Sequence, residues 1–362
     1  MRPFFLLRVV ALLLGPVLLL ESCVSTAYQS MRSESEIPGL GALMAKTSAA
    51  GNRTFQVPVA GQGVSTTLAV HQIGSGHRRR ALVLVHGVFS DHLTWRFIAG
   101  ELASDYDLYL LNLPGCGDSA AVNVGKLPPE ALAPENLAEL TLQAIDAILK
   151  QRGDAPALGL VAHSLGGAVV LQMFQPEIRA RHRATMSRVD RLVLFAPCDL
   201  DQPKQDADLK SISEARGWQI QLAKSLGKLK DWNAKAMRKS MVRPENAPRE
   251  EADRGVVMLA DRGLRTSAQA MVAQAVPWTK EQRPDWAHIQ QLSAAYTHVH
   301  VPCLIVWGAH DETLSQAMGY KLATQLPQAK LVIVPETMHS LQLEHPQQSV
   351  KMIRQFVGQR SL

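Results

Sequence analysis

The stretch from Leu158 to Phe174 limits what the chain can fold into more than any other. Leu158-Gly159-Leu160-Val161-Ala162 is a short apolar run with no helical phase, as a strand buried on both faces of a parallel sheet requires. Ala168 to Phe174 reads as a mostly buried helix ended by Pro176. His163-Ser164-Leu165-Gly166-Gly167 lies between them, so the chain must turn sharply from strand to helix at Ser164. Small residues at Ala162 and Gly166 let the backbone cross closely. Such a turn presents the Ser164 hydroxyl at the top of the sheet, at the positive end of a helix dipole. Taken alone, a serine before two glycines is also compatible with an ordinary turn.

At 362 residues the chain suits one large α/β domain with an insertion, or two domains. The net charge of +6 is modest, and no nucleic-acid motif accompanies it. Its basic clusters, Arg78-Arg79-Arg80 and the run from Arg179 to Arg191, read as solvated loops and helix faces; contact with anionic lipid head groups is the sharper alternative. Cys116, Cys198 and Cys303 are an odd set at no metal-ligand spacing, so neither a disulfide framework nor a zinc site is indicated. Three free, buried thiols near strand ends are expected.

Residues 1–20 combine a basic start with a long apolar run, a signal-peptide pattern interrupted by Arg8. Leu20-Glu21-Ser22-Cys23 resembles the lipobox of bacterial lipoproteins, with Glu21 an unusual member. The resemblance implies removal of residues 1–22 and acylation of Cys23. The product would be a membrane-anchored lipoprotein of the cell envelope facing the periplasm. With Val24 rather than Asp next, the outer membrane is expected rather than the inner. Cleavage near Ser25-Thr26-Ala27, giving a secreted or periplasmic soluble protein, and an uncleaved anchor are the alternatives. Residues 23–52 are polar and rich in small residues, and read as a tether with a short helix around 40–46.

Two alternating segments, 54–59 and 66–73, flank Gly61-Gln62-Gly63 and predict an antiparallel hairpin at the sheet edge. Apolar strands follow at 81–87, from 108, at 189–197, from 302 and at 331–334, the second and fourth running on into loops. Pro134 to Arg152 is an amphipathic helix, with Leu137, Leu140, Ala144, Ile145, Ile148 and Leu149 on one side. Between 199 and 300 no strand signal occurs, and the helical segments carry Trp218, Trp232, Trp278, Trp286, Met237, Met241, Met258 and Met271. Most of these read as core of that region; some could line an apolar acyl pocket.

Several segments together resemble the α/β-hydrolases: the small-x-nucleophile-x-small turn at Ser164, a strand ending in His86-Gly87, Leu113-Pro114-Gly115-Cys116-Gly117-Asp118-Ser119 after the fourth strand, Trp307-Gly308-Ala309-His310-Asp311, and His339 followed by Glu344-His345-Pro346. The chain departs from the family's usual residues at Ala162 (Gly), Phe89 (Pro), Asn112 (Asp) and Met338 (Gly). The resemblance implies a mostly parallel eight-stranded sheet flanked by helices. Core segments 53–198 and 301–362 would be split by a helical cap at 199–300. It also implies a Ser164–Asp311–His339 triad, with the backbone N–H groups of Leu165 and Val88 as oxyanion donors. No metal or organic cofactor is needed for that chemistry.

The implied activity is that of a serine hydrolase acting on a carboxylic ester, small or lipid-like, with no nucleic-acid partner. An amidase, peptidase or thioesterase on the same triad, or a non-catalytic binding lipoprotein, stays open. Read from its local context, Asp311 could be a loop cap and His339 a turn residue. Asp199, after the sixth strand, is the alternative acid. His86, His163, His298, His300 and His310 read as local hydrogen-bonders.

Overall fold

The computed structural model describes residues 27–199, 214–277, 279 and 283–359. Cys23, the lipobox-like tripeptide and Trp278 lie outside them. Eight strands form one sheet in the order β1-β2-β4-β3-β5-β6-β7-β8. β1 (Asn52–Gly61) and β2 (Val64–Ile73) are the antiparallel edge hairpin. β2 also runs antiparallel to β4 (Asp107–Leu111), and every other pairing is parallel. β3 (Arg80–Val85) and β5 (Ala157–His163) occupy the centre, beside β6 (Val189–Phe195), with β7 (Cys303–Gly308) and β8 (Ala329–Val334) completing the far edge.

The central strands are apolar without alternation because both of their faces are covered. Leu160 and Ala162 enter one core with Leu137, Leu140 and Ala168, whereas Val161 enters the other with Trp95, Leu102 and Ile353. The first core is capped by α3 (Pro134–Arg152), which starts with a proline at its first turn and ends at Gly153, φ 76°. α2 (Arg96–Leu102) packs on the opposite face. Cys116, Cys198 and Cys303 are buried and in no disulfide, and β3 and β5 stand between the strands that precede Cys116 and Cys198.

The segment expected as a tether is not one over its described part. α1 spans Leu40–Ala49, beyond the short helix expected, and Met31, Ile37, Leu40 and Leu43 are buried against Phe97, Ala234, Met241 and Ala247. Its small-residue composition suggested a flexible linker, but its few apolar side chains find partners more than 50 residues away. Among the described residues no helix is long and apolar enough to cross a membrane.

Between β6 and β7 the described chain is helical: α5 (Gly217–Ser225), α6 (Lys228–Lys239), α7 (Arg249–Ala260), α8 (Arg262–Gln274) and α9 (Trp286–Ser293), with α10 (Gln316–Gln325) and α11 (Pro346–Val357) flanking the last two strands. Residues from α6 and α7 form the wall opposite Ser164.

Candidate active site

Ser164 links β5 to α4 (Leu165–Gln172) with φ 51° and ψ −122°, a conformation that costs a non-glycine residue about 1–3 kcal/mol. Three backbone hydrogen bonds hold it there: Ser164 N–H donates to Phe195 O (3.0 Å), and Ser164 O accepts from Gly167 N (2.8 Å) and Cys198 N (2.9 Å). A Cβ at Gly166 would lie 2.4 Å from Val85 O, so the turn can pass over β3 only with glycine at that position. Ala162 is buried and tolerated where the family pattern has glycine.

Leu165, as the first helical residue, has an N–H with no acceptor inside its own helix. Facing this turn is the loop after β3. A Cβ at Gly87 would come within 2.9 Å of Ser164 Cβ, so this backbone runs directly against the serine. Val88 and Phe89 (φ 51°) line the same cavity as Ser164. Below them His86 Nδ1 donates to Gly87 O (2.6 Å) and Nε2 accepts from Leu113 N (3.1 Å), locking the loop to the end of β4.

Asp311 and His339 meet. Asp311 Oδ2 lies 2.8 Å from His339 Nδ1, and Oδ1 accepts from Thr313 N and Leu314 N at 2.9 Å each. The Asp311 side chain is fully buried, which makes its hydrogen bonds and charge count strongly. A carboxylate acceptor on Nδ1 fixes the proton there and leaves Nε2 as the basic nitrogen. His339 lines the cavity with Ser164.

The loop bearing His339 is fastened on both sides. His163 Nε2 donates to His339 O (3.0 Å), and its ring lies 4.8 Å from the His339 ring. Burial, reinforced by the neighbouring His339, pushes the His163 pKa well down, so it stays neutral and keeps that donor. Glu344 Oε1 accepts from Met338 N (2.8 Å) and Oε2 from Val242 N (2.9 Å), tying the loop to the cap. Sequence reasoning gave neither residue this task. The only signal for Glu344 was its place in the Glu-x-Pro pattern.

Asp199 goes elsewhere. Its buried Oδ1 accepts from Tyr296 Oη at 2.9 Å, at the foot of the cap. His298 and His300 form an edge contact with each other, and neither lines the cavity of Ser164 and His339.

The cavity holds about 260 Å³ and is walled mainly by Val88, Phe89, Met237, Met258, Leu259 and Leu343. Two charged residues, Glu251 and Arg254, also line it. They belong to a buried network: Arg254 donates to Glu251 (2.7 Å) and Asp91, while Arg96 pairs with Glu251 and donates through Nε to Glu34 (2.9 Å). Cap, N-terminal segment and the loop after β3 are joined by these five side chains, with the arginines neutralised before any substrate arrives.

Among the described residues, two groups outside the cavity bring three ligand-type atoms within 4.8 Å: His71, His92 and Asp118, and Glu130, Glu135 and His288. In the first, the imidazoles stack at 3.6 Å with planes 12° apart, so their in-plane lone pairs run nearly parallel instead of converging on one ion.

The family described as the Alpha/beta hydrolase family matches residues 82–351. Among curated proteins, the chain is 27% identical over 274 residues to the dihydrolipoyllysine-residue acetyltransferase component of the acetoin cleaving system of Pseudomonas putida. That match covers 74% of this chain and only 60% of the relative. It is 28% identical over 308 residues to the pimeloyl-[acyl-carrier protein] methyl ester esterase of Aeromonas salmonicida, covering 81% of this chain and all of the relative. Among solved structures, the 2-hydroxy-6-oxo-6-phenylhexa-2,4-dienoate hydrolase of Rhodococcus sp. strain RHA1 superposes with a TM-score of 0.62 at 17% identity, over 85% of this chain and 100% of that one. Matched by the family over about three quarters of its length and built on an eight-stranded, mostly parallel sheet flanked by helices, the chain belongs to the alpha/beta hydrolase family and is an enzyme of the hydrolase class.

Proposed function

We propose that the protein cleaves a carboxylic ester through an acyl-enzyme on Ser164. The observation that carries this reading is the pairing of His339 Nδ1 with buried Asp311 at 2.8 Å beside a serine held at φ 51° on the same cavity. His339 Nε2 takes the Ser164 proton as Oγ bonds to the carbonyl carbon. The carbonyl oxygen gains the charge, and the N–H groups of Leu165 and Val88 donate to it; each such donor is typically worth about 3–4 kcal/mol. His339 then protonates the departing alkoxide as the ester C–O bond breaks. Water attacks the acyl-enzyme by the same route, releasing the acid and restoring Ser164.

The apolar wall of Met237, Met258, Leu259 and Phe89 favours a substrate with an uncharged acyl chain, lipid-like rather than ionic. Esterase chemistry is favoured over amidase or thioesterase chemistry by the methyl ester esterase among the relatives. The protein works at a membrane of the cell envelope, held by acylated Cys23 and facing the periplasm, by preference at the outer membrane. Mass spectrometry of the mature N-terminus tests that placement; a free terminus downstream of Cys23 removes it.

A fluorophosphonate probe tests the chemistry. It should add covalently to Ser164 of the wild type and leave Ser164→Ala unlabelled. A folded wild type that takes no label would favour a binding protein that has kept the fold.

A further inference from the structure

The cap presents large apolar side chains to solvent: Trp218 (61% exposed), Leu222 and Leu226 on and after α5, Trp232 (47%) on α6, and Val257 and Trp286 elsewhere in it. On α5, Trp218 and Leu222 are one turn apart, and Leu226 follows at the same spacing just past the helix end. The opposite face, Ile220 and Ala223, packs with Leu229 and Leu259. On α6, Leu229 and Ala234 are buried, while Lys228, Trp232, Lys235 and Lys239 recur along the exposed side. Lys224, Lys228, Lys235 and Lys239 are exposed on these two helices, while Lys230 pairs with Asp253 and Arg238 donates to Ser30 beside the N-terminal segment.

We infer that this outer face of α5 and α6 docks on an anionic phospholipid bilayer. Tryptophan side chains sit at head-group level with their ring bodies in the apolar boundary, and lysines snorkel towards lipid phosphates. A protein partner with an apolar patch would satisfy the tryptophans but would leave exposed lysines such as Lys224 and Lys228 beside it without an anion.

The path of the N-terminal segment points the same way. Tyr28 N–H donates to Asp231 Oδ1 (3.1 Å), and Lys230 Nζ donates to Tyr28 Oη (3.1 Å), so the described chain starts against α6 next to Trp232. Cys23 is five residues upstream, a reach of at most about 18 Å when fully extended. Anything holding residue 23 at a bilayer holds this face near it. The inner side of the same helix, Asn233, Ala236 and Met237, lines the Ser164 cavity, so α6 lies between its own exposed side and that cavity.

The test uses the full chain carrying Ser164→Ala, which reads docking without turnover and so stands whether or not the esterase reading does. The protein is reconstituted in phosphatidylglycerol vesicles with brominated acyl chains, and tryptophan fluorescence is followed. The six tryptophans all lie at or beyond Trp95, so insertion of the N-terminus gives no signal of its own. The expected result is quenching that disappears in the Trp218→Phe/Trp232→Phe variant and weakens at raised salt. Absence of quenching, equal quenching in the double variant, or equal quenching in brominated phosphatidylcholine overturns the inference. So does a tryptophan emission that follows protein concentration instead of lipid, which would make the face a contact between copies.

Discussion

Gly308→Ala isolates one packing contact that sets the geometry of the site. Gly308 ends β7, and a Cβ there would lie 2.0 Å from Met338 O and 2.4 Å from Thr337 O. Ordinary carbon–oxygen contact begins near 3.3 Å, so the 337–338 backbone must retreat by more than about 1 Å. His339 is the next residue, and its 2.8 Å bond to Asp311 would stretch beyond hydrogen-bond range. The bond from His310 N to Thr337 O (2.9 Å), which ties the two loops together, would loosen as well. A misplacement of this size costs about 10²-fold in rate, or about 2.7 kcal/mol of transition-state stabilisation. The assay is kcat/KM on a short-chain ester, with circular dichroism and a melt to confirm folding. A folded Gly308→Ala enzyme within a few-fold of wild type would refute the claim that this contact sets the position of His339.

Three further outcomes are expected. Asp311→Asn should lower kcat by about 10⁴, the scale seen when a triad acid is neutralised, while Asp199→Asn, which touches Tyr296 instead of His339, changes the rate far less; the reverse ranking would move the acid to Asp199. Burial raises the Glu251 carboxyl, but Arg254 and Arg96 outweigh it and hold the pKa below the ordinary value. Its stabilisation is therefore present above an unfolded-state pKa near 4.3 and lost as pH falls through the lower folded value. Thermal melts from pH 5 towards pH 3 should show wild type losing its advantage over Glu251→Gln, and a constant gap would contradict this. Deleting residues 1–50 should lower the melting temperature and kcat/KM together, because it exposes Phe97 and Met241 and removes Glu34 from Arg96; a deletion as stable and active as the full chain would restore the tether reading.

Much of the fold was legible because its signals are local. The apolar run and Gly166 around Ser164 identify the strand–turn–helix from neighbours in sequence, and the stripe on Pro134–Arg152 fixes that helix at both ends. The order Ser164, Asp311, His339 could be read as well, each after an apolar strand. The motif Trp307-Gly308-Ala309-His310-Asp311 favoured Asp311 over Asp199 as the acid, but the side chain each aspartate meets could not be read from its surroundings. Their partners, His339 and Tyr296, lie 28 and 97 residues away.

The sequence by itself determined the alternation of strands and helices, the sharp turn at Ser164 and the side chains available for chemistry, since these depend on residues two to four positions apart. The tertiary structure alone decided that residues 27–49 pack instead of hanging free, that Arg96, Glu251, Arg254 and Asp91 join cap to core, and that Glu344 holds the His339 loop against Val242. Those contacts cross more than 200 residues of chain, as between Tyr28 and Asp231, and leave no periodicity in either partner's neighbourhood. Only the closing of the sheet and the seating of the cap bring them within reach of one another.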